Sequence, residues 1–226
     1  MRCPDAHVVR RSWIVSKVPE SEMPIADVAQ KVGGQDRTRR QILDQTAKLL
    51  RTNGYASTSL RDIAAATGMK AGSLYYHFAS KEEIAETVLT EGIERVRETV
   101  RKALSEQPSD SDPMDDIFIA IQAHLHALHV SGDYASANIR CFAHVPHEMK
   151  VRLRKVRERY EADWQEMIAR AREAGRLGED IDDNVLRYTL FGVMNWTLEW
   201  LRSDEPSPDE LGKMFFRILF KGASVS

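Results

Sequence analysis

Residues Gly72 to Ile84 read GSLYYHFASKEEI, with four rings, Tyr75, Tyr76, His77 and Phe78, in consecutive positions between Lys70 and Lys81. Phenols and imidazoles hydrogen-bond phosphate oxygens, and their faces pack on sugars and thymine methyls. Leu74 and Phe78 stand four residues apart, so a two-turn helix buries that pair and leaves Tyr75, Tyr76 and His77 largely outward. Ala71, Gly72 and Ser73 are small, which lets the start of this helix approach base edges closely. Lys81 then sits at the start of a further helix, where backbone N–H groups also favour an anion. This is chemistry for holding a duplex rather than for breaking bonds.

The charge distribution agrees. From Arg37 to Lys81 there are eight basic residues against Asp44 and Asp62, whereas the whole chain carries 32 basic and 34 acidic residues, a net charge of −2. A basic block on an acidic body suits a nucleic-acid module joined to something else. No nucleophile–base pair, paired carboxylates or cofactor loop stands out, so the chain is not expected to be an enzyme or to need a cofactor. His124, His126, His129, His144 and His147 are close in sequence. Within the helix expected to end at Gly132 only His126 and His129 have helix-compatible spacing, and no carboxylate or cysteine completes a metal site. Trp164, Asn195, Trp196 and Trp200 instead suggest a large apolar cavity with a few polar anchors, and His124, Trp164, Asn195 and Trp196 are its candidate ligand residues.

The elements that must position these groups read as helices throughout, and the fold class is all-α. Leu43, Ala47 and Leu50 recur at helical spacing, and Asn53-Gly54 is a stop. A second helix follows, with Thr58 or Ser59 as its N-cap, Asp62 completing a box and Gly68 ending it. Ser80 and Glu83 form a capping box for a long helix whose stripe is Ile84, Val88, Ile93 and Val96. Asp112 caps another helix with Pro113 at its first position and Ile117, Ile121, Leu125 and Leu128 in line, ending at Gly132. A long amphipathic helix covers about 148–174, a largely apolar one 182–202, and a last one begins at Ser207-Pro208 with Glu210 closing its box. Residues 1–36, with Pro4, Pro19, Pro24 and Gly33-Gly34, read as an irregular extension around one short helix near 25–32.

A short helix, a turn at TGMKAG and a second short helix make a helix-turn-helix pattern, whose second helix enters the major groove. The stretch TSLRDIAAATGMKAGSLYYHFASKEEI resembles the DNA-binding signature of the tetracycline-repressor (TetR) family of transcriptional regulators. The resemblance covers about 37–89. It implies an all-α homodimer with an N-terminal three-helix DNA-binding domain and a divergent C-terminal ligand-binding domain, here 37–82 and 83–226. It also implies phosphate or base contacts from Thr58, Ser59, Lys70, Ala71, Ser73, Tyr75, Tyr76, His77 and Lys81. Arg39 and Arg40, ahead of them, are expected at the minor groove or at phosphates.

The last two helices carry more apolar surface than one core needs, so they are expected to pair with a second copy. The segment LFGVMNWTLEWLR is similar to one in family members that sense acyl-coenzyme A thioesters, including regulators of sterol breakdown. The expected function is a repressor that binds a palindromic operator as a homodimer. A small hydrophobic effector, an acyl-coenzyme A or a fatty or steroid acid, would release it. The alternatives are a small α-helical enzyme and an architectural DNA-binding dimer without a ligand. Cys3 and Cys141 are the only cysteines, too few for a disulfide scaffold. The longest stretch free of Asp, Glu, Lys and Arg, Ile117 to Gly132, is too short and polar for a bilayer. A cytoplasmic protein without a membrane partner is expected.

Overall fold

The computed structural model describes residues 25–108, 110–130, 132–202 and 206–223. Among these the secondary structure is helical: α1 (Ile25–Asn53), α2 (Leu60–Thr67), α3 (Ala71–Leu74), α4 (Lys81–Ser105), α5 (Pro113–His129), α6 (Asp133–Cys141), α7 (His147–Glu173), α8 (Asp183–Trp200) and α9 (Pro208–Lys221). None of the described helices is long and apolar enough to cross a membrane.

Most boundaries follow the capping chemistry. Ser59 and Asp62 exchange both bonds of a capping box at the start of α2. Ser207 and Glu210 do the same for α9, with Pro208 in its first turn. Asp112 accepts from Met114 N–H, with Pro113 opening α5. At α4 the box is only half formed. The Ser80 hydroxyl accepts from Glu83 N–H, but the Glu83 carboxylate reaches one residue further back and accepts from Ala79 N–H at 2.6 Å.

Two expectations about organisation change. The short helix read near 25–32 is present, but it does not end there: it continues through Gly33 and Gly34 as part of α1, so 33–36 of the expected extension is helical rather than irregular. A helix-interior glycine costs only about 1 kcal/mol against alanine, a weak stop when the flanking turns are helical. The rest of that extension, 1–24, lies outside the described residues. The chain beyond Gly132 also forms a helix of its own, α6, for which Gly132 is the N-cap rather than a simple stop.

The core is one continuous cluster. In the N-terminal head Ile42, Leu43, Ala47 and Leu50 of α1 meet Ile63 and Ala64 of α2, and Leu74 and Phe78 close over them. In the body α4 runs through the centre, packed against α1, α5, α6 and α7. Helix α6 buries Tyr134, Ala135, Ser136, Ala137 and Asn138, a nearly all-small surface. It reaches α4 closely because Gly92 has no side chain: a Cβ there would lie 2.3 Å from the Tyr134 carbonyl oxygen. A second knot joins α5, α7 and α8, where the rings of His124, Tyr160, Trp164 and Phe191 contact one another at centroid separations of 5.5–6.4 Å.

Replacing Gly92 by alanine must separate two backbones, which no rotamer change relieves. We expect G92A to lose about 2 kcal/mol despite its better helix propensity, lowering the melting temperature by about 4–8 °C. A melt equal to wild type would show that the two helices separate freely.

His124 gives a second expectation. Its ring is buried, and that burial pushes its pKa down to about 4, against a usual value of about 6.5. The folded state therefore holds a neutral imidazole while the unfolded chain takes up the proton first. The resulting stability is full above about pH 6.5 and is lost as the pH falls towards 4. Between pH 7.5 and 5 this amounts to about 2 kcal/mol. Chemical denaturation of wild type and H124Q at both pH values should show that much less pH dependence in the variant.

Candidate nucleic-acid interface and ligand cavity

The turn between α2 and α3 depends on Gly68, whose φ of 69° is left-handed. Its N–H returns to the Ala64 and Ala65 carbonyls, and Met69 N–H also reaches Ala64. This closes α2 and redirects the chain into α3 within a few residues. Helix α3 is a single α-helical turn, Ala71–Leu74, continued as turns through His77 rather than the two full turns expected. The partition is as expected except at His77, which is half-buried rather than outward. Leu74 and Phe78 are buried, Phe78 at 3% exposure, whereas Tyr75 is 59% and Tyr76 90% exposed. His77 and Ser73 are half-buried beside them, and Lys70, Ala71 and Gly72 are open. Ser59 is exposed one helix away, its hydroxyl engaged by Asp62.

Three of the expected DNA contacts stand differently. Thr58 is 1% exposed and donates its hydroxyl to the Gly54 carbonyl at 2.8 Å, so it braces the turn after α1 and cannot reach a duplex. The Lys81 ammonium donates to the Tyr55 carbonyl at 2.8 Å and lies 4.2 Å from the Tyr55 ring centre. Arg40 is paired with Glu91 of α4 at 2.6 Å. Each side chain has found a protein acceptor that the sequence pattern did not disclose. Arg39 stacks 4.3 Å over Phe78, against the back of the reading turn.

The same contacts fasten the head to the body. Tyr55 donates to Glu82 at 3.2 Å, beside the Lys81 bond, so the first turn of α4 is tied to the turn leaving α1. Further along, Arg95 also binds Glu91, and its guanidinium covers the Tyr134 ring at 3.6 Å. The Tyr134 hydroxyl donates to Asp44 of α1 at 2.7 Å.

A cavity of about 210 Å³ opens beside this α4 segment. Gly92, Ile93 and Val96 of α4 form one wall; His124, Asn138, Arg157, Tyr160, Phe191 and Asn195 contribute from α5, α6, α7 and α8. His124 Nδ1 lies 2.8 Å from the Tyr160 hydroxyl, and Nε2 lies 3.1 Å from Asn195 Oδ1. An amide oxygen only accepts, so Nε2 donates and Nδ1 receives the Tyr160 proton, in keeping with a neutral ring. Of the four expected ligand residues, His124 and Asn195 line the cavity. Trp164 lies behind it, in contact with the His124, Tyr160 and Phe191 rings. Trp196 does not belong: it is 65% exposed, one residue round α8 from Asn195 and on the outer face. Arg157, Asn138 and Tyr160 were not anticipated: Arg157 and Tyr160 stand in an ordinary amphipathic helical pattern, and Asn138 lies on α6, which the sequence pattern did not disclose. Among the described residues no group of His, Cys, Asp and Glu is placed to hold a metal ion.

Comparison with known proteins supports both halves. The family model described as "Bacterial regulatory proteins, tetR family" matches residues 42–88, and "Tetracyclin repressor-like, C-terminal domain" matches 110–223. The chain is 24% identical over 195 residues to the HTH-type transcriptional repressor KstR2 of Mycobacterium tuberculosis, covering 85% of this chain and 96% of that one. It is 21% identical over 168 residues to the fatty acid metabolism regulator protein of Bacillus subtilis, covering 73% and 84%. The structure of AibR in complex with isovaleryl coenzyme A and operator DNA superposes with a TM-score of 0.73 at 20% identity, covering 81% of this chain and 98% of AibR. With a matched reading head and a matched body more than half the chain long, this protein belongs to the TetR family of bacterial transcriptional regulators.

Proposed function

We propose that the protein is a ligand-responsive transcriptional repressor that grips a palindromic operator as a homodimer and lets go when a small acyl-bearing effector fills the cavity. The observation that carries this reading is the split within one turn of chain between Phe78, sealed in the core, and Tyr76, presented to solvent. Tyr75, Tyr76, Lys70 and the open backbone at Ala71 and Gly72 form the groove-facing surface, with Ser73 and His77 at its edge. Lys81, Arg40 and Thr58 act one step back, as the braces that hold this surface on α1 and α4.

One head reads too few bases to be specific, and a dimer must set two heads about 34–36 Å apart. The outer face of α8 supports that role. Val185, Tyr188, Trp196 and Trp200 are exposed along it, and Gly192 faces open space between them. Met214 and Ile218 of α9 are exposed as well. Trp196 therefore belongs to the subunit interface in this reading, not to the ligand.

The path from effector to operator runs along α4. This helix supplies a cavity wall at Gly92, Ile93 and Val96 and clamps the reading head through Lys81, Glu82 and Glu91. An occupant that shifts α4 shifts the head with it. A hundredfold release needs about 2.7 kcal/mol of preference for the non-binding shape. The cavity is smaller than the roughly 300–1,000 Å³ of drug-sized sites, which favours a short acyl chain over a four-ring steroid. The isovaleryl group carried by the AibR ligand is of that kind.

Two measurements test the reading. In gel-shift titrations on the DNA upstream of the protein's own gene, Y76A and K70A should each lose affinity by about tenfold, near 1.4 kcal/mol, with unchanged melting temperatures. Unaltered affinity in both variants would remove the assigned surface. In sedimentation runs, W196E should be monomeric where wild type is dimeric, and it should lose operator binding although its reading head is intact. A W196E protein that stays dimeric would place the interface elsewhere.

A further inference from the structure

Arg157 stands in the middle of α7 and forms part of the cavity wall. One face of its guanidinium lies 3.6 Å from the Phe142 ring centre, and Nη2 donates to the Asn138 carboxamide oxygen at 2.6 Å. Among the described residues that is its hydrogen bonding. The nearest carboxylate on the same wall, Glu161, is already engaged by Arg187, whose side chain is 5% exposed. Burial lowers the Arg157 pKa to about 10, so the group is still a cation at neutral pH.

Other arginines of the body are treated differently. Arg97 has Asp163 at 2.6 Å, and Arg172 has Asp183. A larger, more polar cavity of about 690 Å³ lies where α1, α5, α6 and α8 meet, and two arginines line it as well. There, however, Arg51 is held by Asp133 at 2.9 Å and Arg140 by Glu199 at 3.5 Å. A cation withdrawn from water without an anion is costly, and a neutral carboxamide returns only part of its lost solvation. The charged groups of the smaller cavity are thus Arg157 and Glu161, and because Glu161 is bound by the buried Arg187, the cluster carries one positive charge in excess, on Arg157.

We propose that Arg157 is the anion receptor of this cavity and that the effector is a compact apolar free carboxylate, bound with its carboxylate on the guanidinium and its hydrocarbon against Ile93, Val96, Leu128 and Phe191. This rests on reading the cavity as the effector site. A carboxylate matches the planar fork of a guanidinium with two parallel bonds, whereas a thioester carbonyl brings no charge and improves little on Asn138. The same occupant also acts on the switch. Asn138 Oδ1 receives from Arg157 while its Nδ2 donates to the Leu89 carbonyl of α4 at 2.9 Å. A carboxylate that draws Arg157 towards itself competes for the proton that Asn138 accepts, and so disturbs an α6–α4 bond one turn from the Glu91 clamp.

Calorimetric titration of the intact dimer tests this with three probes sharing one short branched acyl chain: the carboxylate, its primary amide and its coenzyme A thioester. The carboxylate should bind at least about tenfold more tightly than the amide and should release operator DNA. In R157Q that preference should collapse to near unity, while R157K should keep part of it. Equal binding of acid and amide by wild type, or a preference undiminished in R157Q, overturns the proposal. If R157Q does not fold, the wild-type ratio and R157K decide. If the thioester alone binds and releases the operator, the carboxylate is wrong and the effector reading survives. If none of the three binds or releases DNA, both fall.

Discussion

A helix of one turn cannot sustain itself in water, because nucleation fixes several residues for almost no hydrogen bonds. Helix α3, Ala71–Leu74, is such an element. It is ordered by the burial of Leu74 and Phe78 against α1 and α2 and by the left-handed glycine that aims it. Burying two such side chains supplies about 3–6 kcal/mol before entropy is counted. Everything that faces outward from that turn is then free to be chosen for recognition. The exposure of Tyr75 and Tyr76 is a consequence of where their neighbours had to go.

The same economy governs the charges. A protein that binds phosphates needs surplus lysine and arginine on one surface, yet three of the groups that first suggested phosphate contact have internal duties. Arg40 and Lys81 tie α1 and its following turn to α4, and Thr58 braces that turn from within. In the proposed reading their removal weakens operator binding through the placement of the reading turn rather than through a lost DNA contact. The head and body are consequently not two units on a hinge: α4 belongs to both, and its N-terminal turn is held by Tyr55 from the head.

The sequence was legible wherever a helix states its own ends or buries one apolar stripe. Ser59, Ser80, Asp112 and Ser207 mark starts by local chemistry that needs no tertiary information, and all four cap in the structure. Helix α6 was not legible because it packs through Ala135, Ser136, Ala137 and Asn138 against a glycine. Such a surface has no hydrophobic period, and its favourable contact comes from close approach rather than from apolar bulk. Gly33-Gly34 misled in the opposite direction, since glycine weakens a helix without forbidding it. At the site, the type of Trp196 and Asn195 was informative but their facing was not. A rotation of one residue, about 100° on a helix, separates a cavity wall from the exposed outer face. Arg157 was invisible for a related reason, because its meaning lies in what is absent around it.

That absence connects stability with response. Packed aromatic and aliphatic groups would fill the space between α4, α6 and α7 more favourably than a cavity bearing a cation, since voids and unpaired charges both destabilise. Fixing Arg157 to an internal carboxylate, as Arg97 is fixed to Asp163, would remove the cost and with it any reason for an outside anion to bind. A regulator needs a ligand whose binding energy differs between two shapes, and that difference has to be stored somewhere in the empty protein. In the proposed reading it is stored at Arg157, which is joined to α4 through the single side chain of Asn138. Across the same cavity His124, Tyr160 and Asn195 satisfy one another and stay neutral, and the one carboxylate of the lining, Glu161, is bound by Arg187. A fully paired cavity would make a more stable protein and a mute one.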